Sequence, residues 1–223
     1  MTLLFAELLK HYHLAKLSGV WGASPSDVFA VGQVAEAYGL ILHYDGASWA
    51  EMATERSGLH FGVWGTSTSD IFVVGAGGAI LHYDGTSWIA MTSGTHQALS
   101  GVWGTSPSDV FAAGGREPEP CEDVVLHYDG TSWTPMAIPT TEGESLYGIW
   151  GASPSDVFAA GGIRVEMGGI PYDSVILHYD GNSWTTMNSG YDSAFSSVWA
   201  SSPTDVFTVG AGGAILHCAG PPQ

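Results

Sequence analysis

Apolar and polar positions along this chain follow one pattern, written five times. A short glycine-rich apolar segment leads into a polar turn and a run of four apolar residues. After a gap come a second apolar run, a second polar turn and a tryptophan-led segment. In the third copy these are residues 99–104, 106–109, 110–113, 124–128, 129–132 and 133–136. Short β-former runs bounded by Ser, Pro, Asp and Gly read as strands, so each copy predicts four, a to d. Pro107 presets φ for the first turn, whose Ser and Asp side chains bond nearby backbone. Pro135 is tolerable because an outer edge strand turns N–H groups to water. Only the first dozen residues suggest a 3.6-residue period.

The strand-a tryptophans are Trp21, Trp64, Trp103, Trp150 and Trp199, spaced 43, 39, 47 and 49 residues apart. Four short strands at that period predict the blade of an all-β propeller, five-bladed here, with four-stranded antiparallel blades. Blade limits fall near 17–58, 59–96, 97–143, 144–193 and 194–218, all in a single domain. The fifth copy has no Ser-Trp strand d. Leu9 lies 12 residues before Trp21, as Met52, Met91 and Met187 lie before their next Trp. Residues 2–10 are therefore expected to complete blade 5 and close the ring as a monomer. A short amphipathic helix is the alternative for that segment. Without closure, the chain would be part of a longer array or would assemble with copies of itself.

Spacing separates scaffold from variation. From the strand-a Trp to the Gly ending strand b is 11 residues in all five copies, and strand-c His to strand-d Trp is 6 in four. The b–c stretch, Gly to His, runs 11, 7, 13, 17 and 7 residues. In a propeller the b–c and d–a loops share one face, so length variation gathers there. Loops on a rigid scaffold commonly carry binding residues.

A net charge of −17, with five Lys and Arg in 223 residues, excludes a phosphate-backbone binder and disfavours an anionic membrane surface. No stretch approaches 18 apolar residues, so no transmembrane helix is expected. The N-terminus lacks a basic region and a small-residue cleavage site. Cys121 lies in a b–c loop and Cys218 on a strand of another blade, a poor arrangement for a disulfide.

The repeated chemistry reads as structural. His43, His82, His127, His178 and His217 share one strand-c position. Set a whole blade apart, they cannot share a metal ion, and a hydrogen bond to neighbouring backbone is the expected role. Asp27, Asp70, Asp109, Asp156 and Asp205 end the first turn; Asp45, Asp84, Asp129 and Asp180 open the second. Both sets suit capping of local backbone N–H groups, with calcium or another cation on that face as the alternative. Fivefold repetition argues against paired-carboxylate catalysis. No other cofactor is expected.

The segments H-Y-D-G-T-S-W at 82–88 and 127–133 resemble a shortened Asp-box, with Gly directly after Asp and four residues from Asp to Trp. The whole repeat, over 17–218, resembles the VWGxSPSDVFAVG…ILHYDGxSW arrays of bacterial propeller proteins. The resemblance implies a secreted or cell-surface setting. In architecture it is also similar to five-bladed lectins of the tachylectin type. Asp-box sialidases need an arginine triad, and Arg56, Arg116 and Arg164 in variable loops do not match one, so that family's site is not carried over. The candidate surface is the variable rim. Arg116, Glu117, Glu119, Glu122 and Asp123 lie in the blade 3 b–c loop, and Arg164, Glu166, Tyr172 and Asp173 in that of blade 4. Glu36 and Tyr38 in blade 1, with Glu142 and Glu144 in the blade 3 d–a loop, extend it. Aromatic rings with carboxylate acceptors suit carbohydrate; an acidic rim also suits a basic protein surface. The expected function is a non-catalytic, lectin-like binding module, with a protein-interaction scaffold second and a glycosidase third.

Overall fold

The computed structural model describes residues 15–35, 38–52, 58–116, 122–139, 145–162 and 174–219. Each sequence copy becomes one antiparallel meander. The first sheet is β1 (Ala15–Ser24), β2 (Asp27–Val34), β3 (Tyr38–Tyr44) and β4 (Trp49–Glu51). The second is β5 (His60–Ser67), β6 (Asp70–Gly75), β7 (Ile80–Tyr83) and β8 (Trp88–Met91). The third is β9 (Ala98–Ser106), β10 (Asp109–Arg116), β11 (Val124–Tyr128) and β12 (Trp133–Pro135). The fourth is β13 (Leu146–Ser153), β14 (Asp156–Gly162), β15 (Ser174–Tyr179) and β16 (Trp184–Met187). The fifth has three strands among the described residues: β17 (Phe195–Ser202), β18 (Asp205–Gly210) and β19 (Ile215–Ala219).

Alternation along each strand gives every sheet two apolar faces, and successive sheets bury them against each other. Phe111, Ala113 and Val125 of the third sheet meet Leu146, Ile149, Val157, Ala159 and Leu177 of the fourth in one cluster. The first strands of successive sheets lie side by side, β1 on β5, β5 on β9, β9 on β13 and β13 on β17. No comparable contact runs from β17 back to β1 among the described residues. The closing segment expected at 2–10 lies outside the described residues.

Packing between sheets explains the conserved spacing within the copies. The Trp-Gly pair of strand a exists because the previous sheet's Trp lies over the glycine. A Cβ on Gly65 would fall 3.2 Å from Trp21, one on Gly104 2.8 Å from Trp64, and one on Gly151 would collide with Trp103. In the fifth sheet Ala200 replaces the glycine, and Trp150 Nε1 donates to its carbonyl at 3.0 Å. The glycine 11 residues after each Trp is forced as well. A Cβ at Gly32, Gly75, Gly114, Gly161 or Gly210 would run into a backbone carbonyl oxygen within one residue of the start of the paired strand a.

Candidate functional site

The repeated histidines and aspartates form five identical pairs. Nε2 of His43, His82, His127, His178 and His217 lies 2.7 Å from Oδ1 of Asp27, Asp70, Asp109, Asp156 and Asp205 respectively. An ionised carboxylate only accepts, so Nε2 carries the donated proton. Each imidazole also packs on the strand-b Phe of its sheet, with centroids 4.1–4.6 Å apart. The histidine partner is thus a side chain, not the neighbouring backbone expected from sequence. These aspartates correspondingly serve side chains rather than capping backbone N–H groups. Thr66, Thr105 and Ser201 hydroxyls supply second donors to Asp70, Asp109 and Asp205. For Asp205 the Ser201 bond, then His217, holds the carboxyl below its usual value.

The fourth sheet lacks that hydroxyl because Ala152 stands in its place. Oδ2 of the buried Asp156 is left without a partner among the described residues. A shallow cavity of about 360 Å³ opens here, bordered by Asp156, Asp180, Ser201 and Ser202. Among the described residues no three His, Cys, Asp or Glu side chains are grouped to hold a metal ion.

The second aspartate set closes turns. Oδ1 of Asp45, Asp84, Asp129 and Asp180 each accepts two backbone N–H bonds of 2.8–2.9 Å. Those bonds hold all four carboxyls below their usual range. The following glycines carry φ of 89–92°, a conformation that L side chains avoid.

A polar concavity lies on the loop face, beside the fourth sheet and the segment 188–192 that leads from it toward the fifth. A cavity of about 340 Å³ is bordered by Ser174, Thr186, Asn188, Ser189, Tyr191 and Asp192, with Pro139 at its edge. Tyr191 stacks on Phe195 with centroids 6.1 Å apart and planes 24° from parallel. Its backbone is pinned: Tyr191 N–H donates to Ser189 Oγ at 3.1 Å, and Ser174 Oγ donates to the Tyr191 carbonyl at 2.5 Å. The same serine turn recurs in the second copy, where Thr95 N–H donates to Ser93 Oγ. There Thr95 and His96 stand where the fourth copy has Tyr191 and Asp192.

Of the rim residues expected from sequence, Tyr38 opens β3 and is exposed. Arg116 ends β10, paired in the ladder with Ala98. Glu122 is exposed and Asp123 partly buried, across the same loop base at Gly115. Tyr38 is on a different sheet from the other three. Glu36, Glu117, Glu119, Arg164, Glu166, Tyr172 and Asp173 lie outside the described residues, as do Glu142 and Glu144. Sequence reading passed over Tyr191, Asn188 and Asp192. Their signal was the departure of N-S-G-Y-D from the T-S-G-T-H of the second copy.

No protein-family model and no curated protein sequence matches the chain. Solved structures similar in fold are propellers. The WD40 β-propeller domain of Doa1 superposes with TM-score 0.65 at 10% identity, over 91% of this chain and 64% of that one. YCF48 bound to a D1 peptide gives 0.61 at 12%, over 92% and 63%. The six-bladed fucose-recognising lectin of Aleuria aurantia gives 0.54 at 16%, over 92% and 77%. The chain thus spans under two thirds of the first two. Together with the five meanders, these likenesses define a β-propeller repeat architecture. No helix among the described residues is long and apolar enough to cross a membrane.

Proposed function

We propose that the protein is a non-catalytic binding module whose ligand is a carbohydrate, held on the loop face where blades 4 and 5 meet. One observation carries this reading: a cavity of about 340 Å³ is bordered by Tyr191, whose ring stacks on Phe195, together with hydroxyl, amide and carboxylate groups. Sugar C–H faces stack on such a ring, and sugar hydroxyls bond the polar groups beside it. Tyr172 and Asp173, expected on the rim, directly precede Ser174 of the same cavity. The fucose recognition of the Aleuria aurantia lectin is in keeping with a sugar ligand on this architecture. The five His–Asp pairs are bonded alike in every blade, which suits scaffold better than catalysis.

A glycan-array screen, run with calcium and with a chelator, tests the proposal. Specific binding lost in Tyr191→Ala is the expected result. A blank array would sink the carbohydrate reading. The second reading, a scaffold for a basic protein surface, is favoured by the net charge of −17; its mark would be one partner whose binding weakens steeply with salt.

A further inference from the structure

The cavity of about 360 Å³ beside Asp156 lies at the far end of the fourth sheet from Ser174, since Val157 pairs with Tyr179 and Gly162 with Ser174. It is therefore separate from the sugar site proposed above and does not rest on that reading. The segments 140–144 and 163–173 join the Ser174 end, beyond Ser145 and Gly162.

Its chemistry follows from one change within the repeat. In the second, third and fifth sheets a Thr or Ser hydroxyl, four residues before the strand-b aspartate, donates to Oδ2. Ala152 takes that place in the fourth sheet, and both Ala152 and Asp156 border the cavity. Asp156 is 4% exposed, and its Oδ1 accepts from His178 Nε2 at 2.7 Å. Its Oδ2 has no partner among the described residues. A buried carboxylate oxygen in that state costs stability until a donor reaches it. The first sheet makes the same change, with Ala23 four residues before Asp27. There the Asp27 side chain is 18% exposed, against 6% for Asp156, so water can supply the donor.

The rest of the border offers acceptors. Asp180 accepts backbone N–H bonds from Asn182 and Ser183, which keep it ionised. Ser201 gives its proton to Asp205 and so has only lone pairs left for a ligand. Two carboxylates and a hydroxyl that can only accept call for a cation rich in N–H groups. No three His, Cys, Asp or Glu side chains among the described residues are grouped to hold a metal ion, so the arrangement suits an organic cation better. A guanidinium fork uses both oxygens of one carboxylate, and Oδ1 of Asp156 is already engaged. A primary ammonium is a compact charge with three donors, and Oδ2 with its neighbours is enough for it.

We propose that this cavity binds a primary alkylammonium group, as carried by a lysine side chain or a small free amine, with Asp156 Oδ2 as its anchor. The fourth blade would thus take from a ligand the donor that the second, third and fifth blades supply from their own strand a.

The test is a titration of the isotope-labelled full chain with n-butylammonium, followed by amide NMR, with n-butanol as the uncharged control. Saturable shifts are expected at Ser153, Ser155, Asp156, Ser201 and Ser202, and none with butanol. A peptide of acetyl-Gly-Lys-Gly-amide distinguishes the source: tighter binding than butylammonium assigns the site to a protein side chain, weaker binding to free amines. Ala152→Thr introduces a residue already used twice at this position and supplies the missing hydroxyl. It should weaken binding about tenfold or more, while an otherwise unchanged spectrum verifies the fold. Unsaturable shifts spread over the acidic surface, equal shifts with butanol, or undiminished affinity in Ala152→Thr would each overturn the proposal. So would a cavity already filled by another part of the chain, which would show no saturable shift.

Discussion

The middle of the array and its two ends are written in the same residues but packed differently. Ile149, facing back from the fourth sheet, is 6% exposed; its counterpart Val20 in the first sheet is 71% exposed. Val125, facing forward from the third, is fully buried, whereas Ile215 at the same position of the fifth is 75% exposed. Leu17, Trp199 and Val209 add to the apolar surface of the end sheets. One sheet cannot bury both its faces, so stability in such an array comes largely from the interfaces between neighbours. Identical motifs therefore carry different energetic weight according to what stands beside them.

Paired substitutions break that equivalence open. Phe158, fully buried between the fourth and fifth sheets and packed on His178, should cost about 3–5 kcal/mol on truncation to Ala. The same change at the half-buried Phe207 should cost less than half as much. Denaturant midpoints at constant m-value would show the contrast, and equal losses would contradict the interface account.

His60 sharpens the comparison through pH. It is 1% exposed where the other sheets carry Leu17, Leu99, Leu146 and Phe195, and neither ring nitrogen has a partner among the described residues. Gly39 leaves it room, since a Cβ there would collide with the ring. Burial lowers its pKa to about 4. Below pH 6.5 the unfolded chain takes up a proton that the folded chain refuses, so stability is full above that pH and falls beneath it. The loss attributable to this residue should reach roughly 3 kcal/mol by pH 4. His60→Leu should flatten this part of the stability–pH curve; an unchanged slope between pH 6.5 and 4 would refute the assignment.

The His–Asp pairs should grade the same way. Asp156→Ala removes the partner of the buried His178 and should cost about 2–3 kcal/mol. Asp205→Ala, at the most exposed pair, should leave the thermal midpoint nearly unchanged. The smallest effect runs in the opposite direction. Ala152→Thr restores the hydroxyl that Asp70, Asp109 and Asp205 enjoy and should stabilise the protein by about 1 kcal/mol. Failure to gain would mean that Asp156 Oδ2 is already satisfied.

Sheets and turns were legible in the sequence because period-2 patterning and Asp-Gly or Ser-Pro-Ser-Asp turns are local signals. The partner of each histidine was less accessible. His127 and Asp109 are 18 residues apart and meet only through pairing of β10 with β11. The Trp-over-Gly contacts are more distant still, since they join neighbouring sheets. At the candidate site the long acidic loops stand out in the sequence by length and charge, whereas Tyr191 sits in a d–a loop of ordinary length. Its distinction is a single residue change, visible only once Phe195 is seen beneath the ring and Ser174 on its backbone carbonyl.

The most direct test is a calorimetric titration of the purified chain with the best glycan from the array. One site per chain, abolished by Tyr191→Ala and retained in His127→Gln, is the expected result. Several equal sites per chain, or binding that survives Tyr191→Ala, would place recognition in the repeats and contradict the site described between blades 4 and 5.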